Sequence, residues 1–229
     1  MKRLISIVIP IFNEERNISL LYRKLAEIGR KLQDKYDLEI ILVNDGSTDK
    51  TSLEIEKLTK LNSKVKFIEL SRNFGKEIAT TAGINNCGGD ACILLDADLQ
   101  HPVELIPEFL AKWEEGAESV IGVREKRGKE GLFKKTGAAL FYKLINKMAK
   151  INIIPNATDF RLIDRSMIDE FNKFSEKNRM TRALIDWLGF KRDYVYFRPG
   201  SAATARPVTV FGNYCISRKF CSIVSVYFP

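Results

Sequence analysis

Short continuous apolar runs alternate with longer amphipathic stretches through the first half of the chain. Ile5 to Ile11 is an apolar run, interrupted only by Ser6, of the kind that forms a strand buried on both faces of a parallel sheet. It leads into Pro10-Ile11-Phe12-Asn13-Glu14-Glu15, where Asn13 suits an N-cap and the two glutamates suit a first helical turn. Leu20, Leu21, Leu25 and Ile28 then recur at helical spacing, which predicts a helix to about Leu32. The unit repeats. Leu38 to Val43 predicts a second buried strand, and Ser47, Thr48 and Asp49 can cap a helix from Lys50 to Leu61. Val65 to Leu70 predicts a third strand, and Ser71 to Glu77 a turn before a helix from Ile78 to Asn86. Ala91 to Leu95 predicts the fourth, Glu104 to Trp113 a helix, and Ser119 to Val123 a fifth strand ending at Arg124.

Strands and helices in this order predict an α/β fold, Rossmann-like, with a mostly parallel sheet, helices on both faces and the strands' C-terminal ends on one rim. The first turn lacks Gly-x-Gly-x-x-Gly, which argues against a dinucleotide cofactor. The fourth strand ends in Asp96-Ala97-Asp98-Leu99-Gln100-His101-Pro102. Two carboxylates where a strand spills into a loop suit Mg²⁺ or Mn²⁺ carrying a diphosphate, although an isolated Asp-x-Asp is more often a solvated turn. For Asp45, two readings stand: a turn residue bonding its own backbone, or an acceptor for a base N–H or a ribose hydroxyl. Arg72 and Lys76 flank a glycine turn at a helix start, which suits phosphates, while such charges are also commonly just solvated. The topology brings Pro10, Asp45, Arg72, Asp96 and Asp98 to the same rim, and that convergence favours the ligand reading of the Asp pair.

Composition narrows the classes. With 229 residues and 45% hydrophobic content the chain can bury one good core. Cys87, Cys92, Cys215 and Cys221 form no CxxC or Cys/His cluster, which points to reduced thiols rather than a zinc site. Lys2-Arg3 runs straight into the first strand without a signal-type apolar region, and no apolar run reaches the eighteen or so residues that cross a bilayer. The net charge of +8 is uneven: residues 1–123 carry 16 Lys and Arg against 20 Asp and Glu, whereas residues 124–229 carry 21 against 9. Without an RNA-binding motif or zinc finger, that basic half ranks an anionic membrane surface or phosphates above nucleic acid as partner.

Four segments together, Ser6 to Glu15, Val43 to Ser47, Arg72 to Lys76 and Asp96 to Gln100, resemble family 2 glycosyltransferases of GT-A fold. Within them the chain is most similar to the polyprenyl-phosphate branch, the dolichol-phosphate mannosyltransferases and bactoprenol-phosphate glucosyltransferases. Similarity continues through Thr158 to Leu162 and Asp186 to Phe190, covering residues 4 to about 199. The resemblance implies that Pro10, Phe12, Glu14, Val43 and Asp45 bind the donor's nucleoside, with Lys76 on the donor side. Asp96, Ala97, Asp98 and Gln100 would hold the diphosphate and its Mg²⁺ or Mn²⁺. It places Arg124 at the donor or acceptor phosphate and Asp159 with Arg161 on the acceptor side. His101, the only histidine, is expected to be a loop residue rather than a ligand, because the family's ligands here are oxygen donors.

The implied reaction is an inverting single displacement that moves a hexose from UDP-glucose or GDP-mannose to a polyprenyl phosphate at the cytoplasmic membrane face. Metal plus Lys or Arg would stabilise the leaving diphosphate. A lipid monophosphate needs positioning more than a base, whereas a sugar hydroxyl would need one, with Asp159 the leading candidate. A soluble or polysaccharide acceptor, and a remnant that binds donor without turnover, are the competing readings; assembly with further copies is left open. Gly131 to Met148 is amphipathic, and beside the basic half it is expected to lie on anionic lipid. Residues 1–199 are expected to form the catalytic domain, located in the cytoplasm at the inner membrane face.

Residues 200–229 depart from the branch, which continues into a basic segment and two membrane helices. One codon choice for Gly200 to Thr209, with a single G restored, reads Gly-Lys-Arg-Arg-His-Gly-Lys-Thr-Arg-Tyr, so a frameshift near Gly200 is expected. Such a change would have removed acceptor contacts and the anchor.

Overall fold

The computed structural model describes residues 2–125, 156–174 and 181–198. The amphipathic segment at 131–148 and the tail at 200–229 lie outside the described residues. Seven strands form one sheet among the described residues: β1 (Arg3–Ile11), β2 (Tyr36–Asn44), β3 (Val65–Glu69), β4 (Ala91–Leu94), β5 (Ser119–Arg124), β6 (Ala157–Asp164) and β7 (Arg192–Phe197). Their spatial order is β3-β2-β1-β4-β6-β5-β7. The helices are α1 (Ile18–Leu32), α2 (Thr51–Leu61), α3 (Lys76–Asn85), α4 (Ile106–Glu114, preceded by a 3-10 turn), α5 (Arg165–Asn172) and α6 (Thr181–Trp187).

The apolar runs are explained by layers on both faces. Ile5, Ile7, Ile9 and Ile11 of β1, with Ile40 and Leu42 of β2, join the core beneath α1, α2 and α4. The intervening Val8, Ile41 and Val43 join a second core beneath α3, α5 and α6. Residues that alternate along a strand thus face opposite apolar layers, and the polar exceptions Ser6 of β1 and Glu39 of β2 are buried against each other. Gly83 lets α3 lie close on the sheet, since a Cβ there would stand 2.2 Å from Val8 Cγ1.

One expectation is corrected. Asn13 does not cap α1: it has φ 56°, and its side chain accepts from Thr48 N at 2.8 Å, so the helix starts five residues later at Ile18. The sheet is mostly parallel, as expected, with β6 antiparallel to both β4 and β5. Leu94 pairs with Arg161, so it is the N-terminal end of β6, carrying Asp159, that reaches the rim beyond β4. Among the described residues no helix is long and apolar enough to cross a membrane.

Candidate active site

The loops after β1 and β2 are stitched together. Asn13 N donates to Ser47 Oγ at 2.9 Å, Glu14 N to Thr51 Oγ1 at 3.0 Å, and Lys50 N to Glu15 Oε2 at 3.0 Å. Gly46, at φ +67°, lets the β3–α3 loop press against this pair: a Cβ there would lie 2.4 Å from the Arg72 carbonyl carbon. The buried Asp45 carboxylate accepts from Phe74 N at 2.8 Å and Gly75 N at 2.9 Å, tying all three loops into one shelf. Arg72 stacks its guanidinium over Phe74, 4.3 Å from the ring centroid. Asp45 therefore has a structural task, and each of its oxygens has a lone pair left for a ligand.

Beside the shelf lies a cleft of about 360 Å³, open to solvent and lined by Pro10, Lys76, Asp96, Asp159, Arg161 and Arg182 among others. Lys76 Nζ stands 2.5 Å from Asp96 Oδ1 and 2.8 Å from Asp159 Oδ2, so one ammonium joins the ends of β4 and β6. Burial opposes its charge, but the hydrogen bonds to both carboxylates outweigh this and hold Lys76 above its ordinary range. Burial would by itself raise the Asp159 carboxyl. The Lys76 hydrogen bond and charge, with Arg182 and Arg161 nearby, hold it below the ordinary aspartate value instead. Arg182 Nη1 is 3.8 Å from Asp159 Oδ1. Arg161 is sealed beneath, 1% exposed, with Nη1 3.2 Å from Asp186 Oδ1 and Nη2 without a hydrogen-bond partner among the described residues. Burial lowers its pKa, Asp186 opposes that, and a guanidinium stays charged regardless.

Along the same rim, Asp98 Oδ1 accepts from Gln100 N at 3.0 Å across a turn in which Leu99 has φ 60°. Gln100 Oε1 accepts from Arg124 Nη2 at 3.2 Å, linking the ends of β4 and β5. His101 is 6% exposed, and burial pushes its pKa down.

The structure thus gathers Pro10, Lys76, Asp96, Asp159 and Arg161 in one cleft, with Asp98, Gln100 and Arg124 adjoining. Phe12 is exposed near the shelf, and Glu14 accepts from Asn17 Nδ2 at 2.6 Å. The side chains of Val43 and Ala97 belong to the core, which leaves only their backbones for a ligand. Sequence reasoning missed Arg182 and Asp186, which no motif on a predicted strand announced, and the burial of His101. Among the described residues no three His, Cys, Asp or Glu side chains cluster as a metal cage. Two carboxylates and an amide oxygen fit a different arrangement, a hard cation that takes the rest of its shell from a diphosphate.

Residues 6–171 match the model of "Glycosyl transferase family 2". The chain is 44% identical over 192 residues to the uncharacterized glycosyltransferase YkcC of Bacillus subtilis, covering 84% of this chain and 59% of that protein. It is 38% identical over 193 residues to the bactoprenol glucosyl transferase of Shigella phage SfV, covering 84% and 62%. The chain spans about three fifths of the length of these relatives. Among solved structures, a mannosyltransferase from Pyrobaculum calidifontis in complex with GDP-Man and Mn²⁺ superposes with a TM-score of 0.59 at 17% identity, covering 86% of this chain and 57% of that one. Glucosyl-3-phosphoglycerate synthase from Mycobacterium tuberculosis, in complex with Mn²⁺, UDP and glucosyl-3-phosphoglycerate, does so at 0.53 and 20%, covering 90% and 73%. The fold is that of the GT-A glycosyltransferases. A rim of carboxylates and cations at the strand ends, a family match over most of the sheet, and relatives of this similarity together mean that the chain belongs to glycosyl transferase family 2.

Proposed function

We propose that the chain transfers a hexose from UDP-glucose or GDP-mannose to a polyprenyl phosphate at the inner face of the cell membrane, with inversion at the anomeric carbon. The observation that carries this reading is the state of Asp159. A carboxylate held below its ordinary range by a lysine at 2.8 Å is a weak base, poorly suited to deprotonate a sugar hydroxyl. An acceptor phosphate needs no base, because it is already an oxyanion. Arg161 and Arg182 supply the positive charge that would hold such an acceptor at the cleft. The bactoprenol named for the SfV relative supports the same class.

Asp96, Asp98 and Gln100 would hold a Mg²⁺ or Mn²⁺, whose chemistry is to neutralise charge growing on the departing diphosphate. Lys76 and Arg124 add to that neutralisation, and the shelf around Phe12 and Asp45 receives the nucleoside. An acceptor phosphate oxygen attacks the anomeric carbon from the face opposite the diphosphate. A new carbon–oxygen bond forms as the bond to the nucleotide breaks, the electron pair leaves with the diphosphate, and no proton need move. Residues 1–199 are the proposed catalytic unit, and the basic half beyond residue 123 faces anionic lipid.

Incubation with extracted polyprenyl phosphate and labelled UDP-glucose or GDP-mannose tests the proposal. Label in the lipid phase is expected with one donor. Label only in a water-soluble product would assign a different acceptor, and donor binding without product would make the chain a non-catalytic binder.

A further inference from the structure

His101 closes the turn that carries Asp96, Asp98 and Gln100, and its ring is sealed into the core below them. Phe160 stacks on it at 5.5 Å between centroids and 26° between planes, and Phe197 meets it edge-on at 6.0 Å. Phe160 lies between Asp159 and Arg161 on β6, and Phe197 ends β7, so two strands clamp the ring. Within this apolar clamp Nδ1 has no hydrogen-bond partner among the described residues. It lies 3.8 Å from Asp96 Oδ2. That is too long for a hydrogen bond, and an approach of about 1 Å would make one. A bare nitrogen lone pair would repel the carboxylate it faces, so the tautomer with hydrogen on Nδ1 is favoured.

A buried donor without a partner is destabilising, and a phenylalanine would fill the same clamp without that cost. The arrangement makes physical sense if another state of the site uses the proton. We propose that His101 is a positioning residue, whose clamped ring donates from Nδ1 to Asp96 Oδ2 once Asp96 exchanges Lys76 for the cation of the donor diphosphate. The inference rests on the donor-side reading of Asp96 given above. It explains why the ring is buried beside a carboxylate without coordinating anything: hydrogen bonds from an outer shell fix the direction of a ligating oxygen.

His101→Phe and His101→Asn, made in the full chain, separate positioning from packing. The phenylalanine keeps the ring and removes the donor, whereas the asparagine leaves a smaller fill but can return an N–H near the place of Nδ1. Mn²⁺ binding with UDP or GDP is read by electron paramagnetic resonance and calorimetry, and folding by thermal melting. The phenylalanine variant is expected to melt no lower than wild type and to bind Mn²⁺–nucleotide about tenfold or more weakly. The asparagine variant should melt lower and recover most of that affinity. Wild-type affinity in the phenylalanine variant, or weaker binding by the asparagine than by the phenylalanine variant, would overturn the positioning role alone. A wild-type chain that binds neither nucleotide with Mn²⁺ would overturn the reading of Asp96 and this role with it.

Discussion

One sheet carries two carboxylate centres built on opposite plans. Towards the N-terminal ends of the strands, Glu39 accepts from Ser6 Oγ at 2.5 Å and Gly88 N at 2.7 Å, and pairs with Lys66 Nζ at 2.5 Å. Ser6 Oγ in turn accepts from Gly89 N at 2.9 Å, so donors and acceptors are matched and one lysine serves one acid. At the opposite rim, Lys76 is shared by Asp96 and Asp159, and Asp96 Oδ2 faces His101 Nδ1 across 3.8 Å. His101 Nδ1, Arg124 Nε and Arg161 Nη2 are buried without partners among the described residues. A closed network contributes to stability; an open one leaves capacity for something that is not protein. Substitutions at the two centres should therefore fail in different assays.

The largest separation is expected from Asp98→Ala. The Asp98 carboxylate is exposed and accepts from Gln100 N, so its loss should leave the melting temperature nearly unchanged. Sugar transfer should fall about a thousandfold, the scale for removing one preorganised group at a developing charge. Labelled-donor turnover with thermal melting checks both halves, and full activity would remove Asp98 from the site. Glu39→Ala should do the reverse. It strands Lys66, Ser6 Oγ and the Gly88 N–H together, and the loss should be about 3 kcal/mol in urea denaturation. Nucleotide affinity should stay at the wild-type value, and a parallel loss of binding would merge the two centres into one.

Lys76→Met probes the sharing itself. Without the ammonium, Asp96 and Asp159 keep their charge and lose their counter-ion, so Mn²⁺ in the absence of nucleotide should bind about tenfold more tightly, or about 1.4 kcal/mol. Donor turnover should fall, because the lysine no longer helps neutralise the leaving diphosphate. Weaker Mn²⁺ binding would mean that Lys76 does not compete for the carboxylates.

The same contrast explains what could be read from the chain. Strands β1 to β5 were legible because their residues face apolar layers on both sides, and Asp45, Asp96 and Asp98 because they follow such strands directly. Strand β6 was not, since a central strand is expected to be apolar and Arg161 sits in the middle of this one. Arg161 is tolerated there because Asp186, distant in sequence, is brought within 3.2 Å. The start of α1 was misplaced for a related reason: Asn13 binds Thr48 across the fold rather than its own helix. His101 looked like a loop residue because the two aromatic rings that bury it, Phe160 and Phe197, come from strands the pattern did not reveal.

The smallest expected effect is a difference in acid sensitivity. Burial alone would raise the Glu39 carboxyl, but hydrogen bonds from Lys66, Ser6 and Gly88 outweigh it and hold it below the ordinary glutamate value of 4.5. Because the folded value is the depressed one, its contribution is complete above pH 4.5 and is lost as pH falls towards the folded value. Asp159 is likewise depressed, by Lys76 against its burial, from the ordinary 3.8, so its contribution is lost over a lower window. Its side chain is 41% exposed, against 8% for Glu39, so solvent screens its pairing more. Replacing each acid by its amide removes its own titration. Urea stability measured from pH 7 down to about pH 3 should therefore flatten more in Glu39→Gln than in Asp159→Asn. The opposite order would place the main acid-sensitive stabilisation at the rim, and the division between a closed centre and an open one would fail.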